Sequence, residues 1–381
     1  MDELAPTPRA TSSPLAWALF LGVSWTWCIG MFLPVLLVRD YGPWAWVIFA
    51  IPNCVGAAAM GWAMRSADDS WQFVRRHRVM CEVFSLVTMA FQIFFATWML
   101  PRLVGPIGYL GVAVMVQAAF TPIRSPRTLL ILSGIVYIVS LIAAGILAAR
   151  GSLIFPQAVT VSGLDLLGLA CVCLLGFIFS PYLDLTFHQA RQATSVRGGQ
   201  IAFAVGFCVV FAAMIVLSFF YAETFVRMRG LSVAVLAIHL AVQMAFTVDA
   251  HAAALRKSGD AESDEPKLGQ PMLALAIAIG FAAGLAGSID WLYHGLPVGE
   301  MVYRIFLSFY GLIVPAYLLT ARATRWQLLF PGAVVLALPP LWMAFIERQM
   351  AWAILAAVIV VIAGVACRTM PVTKPAPKAF D

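Results

Sequence analysis

Charge is what this sequence has least of. Only 11% of its 381 residues are Asp, Glu, Lys or Arg, 62% are hydrophobic, and the mean hydropathy is +0.92. That is too little polar surface to cover a water-soluble globule, which leaves an integral membrane protein. No connecting stretch is long enough to form a soluble domain. H-E-x-x-H, the mark of many zinc hydrolases, is missing, and "VRGGQ" (196–200) lacks the lysine and spacing of a phosphate loop, so this chain alone is not expected to couple work to ATP hydrolysis. The 7 cysteines lie within apolar runs or at their ends and supply no disulfide framework. Cys171 and Cys173 point to different sides of a helix, which suits apolar filling better than a metal or redox pair.

What the chain has instead is apolar sequence in lengths that cross a bilayer. A ~30 Å hydrocarbon core takes roughly 20 helical residues. Twelve runs qualify: 15–38, 41–65, 79–101, 104–122, 127–149, 161–187, 199–222, 230–255, 270–290, 300–321, 326–346 and 349–367. The expected fold class is all-α, a polytopic membrane protein of about twelve transmembrane helices. One transmembrane domain (15–367) lies between tails at 1–14 and 368–381. The first run is too long for a signal-peptide core and is expected to stay as the first helix.

Basic residues orient the chain, because lysine and arginine collect on the cytoplasmic side of short loops. With both termini cytoplasmic, the outer turns hold only Arg39, Arg102, Arg150, Arg227, Arg229, Arg304 and Arg348 of the 24 lysines and arginines. The +6 net charge then reads as topology and contact with anionic headgroups in a plasma or inner membrane, and not as a nucleic-acid surface. The stretch "KSGDAESDEPKLGQ" (257–270) reads as a solvated inner linker, and the outer connection 151–163 is apolar enough to lie at the interface or fold back.

Prolines and polar residues interrupt particular spans. "FLPVL" (32–36) in the first run aligns with "FSPYL" (179–183) in the sixth, each with a glycine upstream, and the two runs have opposite orientations. This pairing points to an inverted repeat, with unit one at 15–149, unit two at 161–321 and two extra helices at 326–367. Proline removes an amide donor and frees carbonyls, which lipid tolerates only where they face protein or water. Gly30/Pro34 and Gly176/Pro181 are therefore expected breaks.

Around the second break stand Ser180, Tyr182, Asp184, Thr186 and His188. Asp184 and His188 are four apart, a spacing at which carboxylate and imidazole share a helix face. An ionisable residue inside a membrane is a candidate ion or proton site. Trp25 and Trp27 offer an aromatic wall in the first run, and Asn53 beside Pro52 repeats the break-plus-amide pattern in the second. In the eighth run His239, Gln243 and Thr247 form a polar stripe one turn apart, followed by Asp249 and His251. Asp165, Asp290, His294 and Glu300 read as a solvated outer face.

Twelve helices with breaks in the first and sixth and a polar stripe on the eighth resemble the five-plus-five inverted-repeat transporters of the amino acid, polyamine and organocation superfamily, particularly the sodium/solute and nucleobase:cation symporters. The resemblance is architectural, covers the first ten helices, and carries no residue-by-residue signature. It implies secondary active transport of a small solute, with Trp27, Cys28, Gly30, Ser180 and Tyr182 at the substrate; Asn53, an amide beside a backbone break, is a further substrate-binding candidate. It further implies Gln243 or Thr247 at an ion, while Asp184 or Asp249 would serve as carrier if the ion is a proton. The hydroxyl pair of a sodium site is not present as a pair on the eighth helix, so H+ suits the sequence as well as Na+. No other cofactor is expected, and the implied partners are the lipid bilayer and the solute; oligomeric state is left open. Two alternatives remain. One is a major-facilitator transporter, which "GWAMRSADDSWQFVRRHR" (61–78) echoes loosely. The other is an intramembrane enzyme holding zinc or iron on Asp184, His188, Asp249 and His251.

Overall fold

The computed structural model describes residues 13–123, 125–259, 269–321 and 326–369. The N-terminal tail, most of the stretch 257–270 and nearly all of the C-terminal tail lie outside the described residues. The helices are α1 Pro14–Ser24, α2 Cys28–Ala63, α3 Ala67–Arg76, α4 Arg78–Val104, α5 Gly108–Phe120, α6 Pro126–Ala149, α7 Gly163–Phe179, α8 Leu185–Gln192, α9 Val196–Val205, α10 Ala212–Tyr221, α11 Leu231–Gly259, α12 Gln270–Gly287, α13 Val298–Ser308, α14 Val314–Thr320, α15 Trp326–Phe345 and α16 Trp352–Thr369. A π-helical stretch Gly206–Phe211 joins α9 to α10, and another at Phe309–Ile313 joins α13 to α14.

Among the described residues, 10 helical stretches are long and apolar enough to cross a membrane. Two of them are longer than one crossing. The 36 residues of α2 would run about 54 Å at 1.5 Å per residue, nearly twice a hydrocarbon core. The stretch Arg78–Phe120 is longer still. Each contains a glycine with positive φ, Gly42 at 70° and Gly105 at 70°, and each glycine precedes a proline. Only glycine adopts this conformation without steric cost, and the proline cannot donate back into the preceding turn. Divided at these two glycines, with α1 joined to the first half of α2, the described residues form the twelve segments that hydropathy predicts. The chain is an all-α, multi-pass membrane protein.

By internal packing the chain forms two units. The first comprises residues 1–160 and 181–303. Here α12 lies against α4 at the spacing of small residues that lets membrane helices approach closely. A Cβ added at Gly280 would meet the carbonyl of Ala90, and one at Gly284 would stand 2.8 Å from the carbonyl of Phe94. Likewise α1 meets the π-helical stretch where Gly22 approaches Val210 and the Gly206 carbonyl. The connection after α6 lies along the end of α10 within this unit, with Ile154 N donating to Phe220 O at 2.9 Å and Thr224 Oγ1 to Ser152 O at 2.6 Å. A two-residue hairpin pairs Leu292–Tyr293 with Leu296–Pro297 through His294 and Gly295, both at positive φ. It is too short to show in the sequence pattern.

The second unit comprises residues 161–180 and 304–381. In it Gly168 sits against the carbonyl of Met350, and Gly364 against Leu319. Asp165 Oδ1 accepts from Ala351 N at 2.9 Å, and Arg304 donates to the carbonyl of Phe345 at 3.1 Å. The solvated reading of the outer acids therefore holds for Asp290, which is fully exposed, but not for Asp165 or Glu300. Glu300 is 4% exposed and takes both guanidinium nitrogens of Arg39, at 2.6 and 2.8 Å.

Candidate functional site

The first membrane segment is discontinuous, but one turn earlier than its proline suggests. α1 ends at Ser24, and Trp27 is extended at φ −80°, ψ 177° before the helix resumes at Cys28. Gly30 and Pro34 lie in regular helix beyond the break. The freed groups are satisfied locally. Ser24 Oγ donates to Leu21 O at 3.2 Å, Thr26 Oγ1 to Gly22 O at 2.7 Å, and the Trp27 indole N–H to Ser24 O. On the far side, Cys28 N donates to Gln92 Oε1 at 3.3 Å, so an orphan donor of the new helix is met from α4. The Thr26 hydroxyl and the Trp27 indole thus occupy carbonyls at the interruption, while Pro34 lies in regular helix.

The sixth segment is interrupted where the sequence places the break. After α7 the chain makes a short 3₁₀ turn, Ser180–Leu183, and Asp184 then caps α8 with φ −78° and ψ 110°. Its Oδ1 accepts from Thr186 N and from Thr186 Oγ1, both at 2.7 Å. An N-cap carboxylate meets the first unpaired amides of a helix and its positive dipole end. Asp184 is completely buried.

Within the first unit these two interruptions meet a third element, α11. Thr186 Oγ1 lies 3.5 Å from Ser24 Oγ, and Thr247 Oγ1 of α11 lies 3.5 Å from Ser24 O. One turn on, His251 Nε2 stands 3.7 Å from Asp184 Oδ2, both side chains fully buried. His251 Nδ1 contacts Ser85 Oγ of α4 at 3.2 Å. Among the described residues neither Asp184 Oδ2 nor His251 Nε2 has a hydrogen-bond partner. Aromatic rings surround the pair. Trp25 packs 4.4 Å from Trp27 and 4.9 Å from Phe187, and Trp27 lies 5.6 Å from His251 and 5.7 Å from Phe84.

This arrangement has a definite electrostatic property. A buried lone carboxylate is costly unless it is paired or protonated. Asp184 and His251 together are neutral overall with one shared proton, either as ion pair or as two neutral groups. Gain or loss of a proton leaves a net buried charge, which a second charged species at the site would offset.

The other expected site residues divide clearly. Trp27 and Cys28 lie at the first break, and the Cys28 carbonyl accepts from Tyr303 OH at 3.0 Å. Asn53 takes the Trp25 indole N–H at 2.7 Å and so braces the break. Gly30 faces the ring of Phe211, which a Cβ would reach at 3.3 Å, so it serves helix packing. Ser180 is buried but belongs to the second unit. Tyr182 lies within the 3₁₀ turn that interrupts the sixth segment, and its carbonyl contacts His188 Nε2 at 2.8 Å. Gln243 donates to Ser140 Oγ at 2.9 Å, away from Asp184. Asp249 accepts from Ile123 N at 3.0 Å and fixes the turn after α5.

The pairing of Asp184 with His188 that their spacing allows does not form. As a cap, Asp184 turns its carboxylate over its own helix end, while His188 Nδ1 bonds Ser70 Oγ at 2.8 Å and stacks on Phe73. The metal set Asp184, His188, Asp249 and His251 is likewise dispersed, and among the described residues no three His, Cys, Asp or Glu side chains gather to hold a metal. His251 is the partner that local spacing missed. A signal existed, since it continues the four-residue stripe of His239, Gln243 and Thr247 by one more turn. Arg191 was also unforeseen. It is 1% exposed and donates to the carbonyls of Met64 at 2.7 Å, Arg65 at 2.8 Å, and Thr194 and Ser195 at 3.1 Å.

No protein-family model matches the chain, and no curated protein matches it.

Proposed function

We propose that the chain is a secondary transporter that moves a small solute by alternating access, coupled to a proton carried by Asp184 and His251. One observation carries the reading: two interrupted membrane segments meet at a fully buried carboxylate–imidazole pair whose facing atoms lack hydrogen-bond partners. Broken helices place helix ends and backbone dipoles at mid-membrane, where solute and ion can use them. Trp25, Trp27 and Phe187 offer flat apolar walls beside that charge. Breaks in the first and sixth segments beside α11 are what favours keeping the superfamily resemblance as a working assignment.

Closures on either side fit the same cycle. Arg39 clamps Glu300 at one end of the first segment, and Arg191 clamps the carbonyls after α2 at the other end of the site. Each is a discrete contact whose release would open one face. By the lysine and arginine bias, the Arg191 side is cytoplasmic.

A sodium-coupled reading keeps one specific support: Ser24 O, Ser24 Oγ, Thr186 Oγ1, Thr247 Oγ1 and Asp184 Oδ1 lie in one connected oxygen cluster. Hard cations take such donors. Thermal unfolding with metabolite panels, with and without sodium and at two pH values, separates the two ions and finds the solute. With the solute identified, Asp184→Asn in proteoliposomes is expected to remove gradient-driven uptake while the protein stays folded. Normal concentrative uptake by that variant would refute the proposal.

A further inference from the structure

A small cavity of about 30 Å³ lies among α3, α8 and α11, on the side of the pair toward Arg191 and Lys257. Its walls include Leu185, His188 and Gln189 of α8 and Ala254, Lys257 and Ser258 of α11. Its lining thus includes Leu185, which directly follows Asp184, and Ala254, which is one helical turn beyond His251. That volume admits a water or two, since a buried water needs at least ~10–15 Å³ and two to four polar partners.

Polar partners are present. Gln189 Oε1 is buried and, among the described residues, has no hydrogen-bond partner. Ser258 Oγ donates to Glu82 Oε1 at 3.0 Å, which ties this end of the cavity to a carboxylate already paired with Arg78 at 2.8 Å. The other charged and titratable groups nearby are accounted for. His188 has both ring nitrogens engaged, by Ser70 and by Tyr182 O, so it is not a free relay. The His77 ring lies 4.5 Å from that of Phe73, and Arg256 bonds the carbonyl of Phe120. Lys257 lines the cavity itself.

We propose that this cavity is the water path by which protons reach the Asp184–His251 pair from the face that carries Lys257, with Gln189 holding the relaying water. The proposal rests on the reading of that pair as the proton carrier. No covalent step is involved; a proton passes along hydrogen bonds and the water regains one from the bulk.

Infrared difference spectroscopy across a pH series tests both ideas in the full-length protein in liposomes. A protonated-carboxyl band that vanishes in Asp184→Asn identifies the carrier, and its shift after transfer to D2O times the proton's route. The wild type should exchange promptly. Gln189→Leu, which keeps the volume and removes the acceptor, and Ala254→Phe, which fills the cavity, should each slow exchange about tenfold or more, as a barrier ~1.4 kcal/mol higher would do. Unchanged exchange in folded Gln189→Leu overturns the path while leaving the carrier standing, and it decides alone if Ala254→Phe does not fold. Absence of any band sensitive to Asp184→Asn removes the carrier and the path together.

Discussion

Asp184 does two jobs that substitution can separate. Its Oδ1 holds the start of α8 through Thr186 N and Thr186 Oγ1, and its Oδ2 faces His251. Asparagine retains an acceptor for Thr186 and ranks with aspartate as an N-cap, so Asp184→Asn should change stability by less than about 1 kcal/mol. Alanine removes the cap, worth about 0.5–2 kcal/mol, and strands buried donors, worth about 1–3 kcal/mol. Asp184→Ala should therefore be less stable than Asp184→Asn by about 2–4 kcal/mol, read as the difference in unfolding free energy in lipid or detergent. A double-mutant cycle with His251→Gln should give a coupling of about 0.5–3 kcal/mol, because the two side chains stand 3.7 Å apart. Both Asp184 variants should lose coupled transport alike. Equal stability of the alanine and asparagine variants, or additive effects of Asp184→Asn and His251→Gln, would refute the division of labour.

The Arg39–Glu300 pair should respond asymmetrically. Arg39→Met deprives a buried carboxylate of a bidentate partner, at a cost of up to about 3–5 kcal/mol, whereas Glu300→Gln leaves a 48% exposed arginine still paired with Asp40, at about 0–1 kcal/mol; unfolding titrations distinguish the two. Arg191→Lys should destabilise by about 2–4 kcal/mol, since an ammonium cannot reproduce a fork that meets several carbonyls, and a stability equal to wild type would count against the clamp. Gly280→Leu should prevent assembly of α12 on α4, seen as aggregation on size exclusion. Gly134→Ala, where a Cβ meets nothing within 4 Å, should be neutral or stabilising by about 0.5–1 kcal/mol.

How far the sequence carries depends on the range of the force concerned. Span lengths follow from the bilayer's thickness and from composition, so the segments among the described residues and their interruptions at Gly42 and Gly105 are visible in hydropathy. The sixth break is visible too, because Pro181 and the cap Asp184 act on their immediate neighbours. The first break is displaced from Pro34 for a related reason. A proline disturbs only the turn before it, and that turn is absorbed into regular helix here, whereas the Thr26 hydroxyl and the Trp27 indole N–H take the carbonyls of Gly22 and Ser24. Serine and threonine do this in many continuous helices, so their presence is a weak signal.

The pairing at the site was beyond such reasoning. Spacing offered His188 to Asp184, and burial chose His251, 67 positions away, because a cap carboxylate points past its own helix start toward whatever element crosses there. Asp249 and His251, two apart on one helix, illustrate the consequence. They point to different sides, so one fixes the turn at Ile123 while the other completes the buried pair. In a chain this poor in charge, each ionisable side chain inside the membrane must find its own partner. The partner's identity, more than the residue type, therefore separates a structural acid from one able to carry a proton.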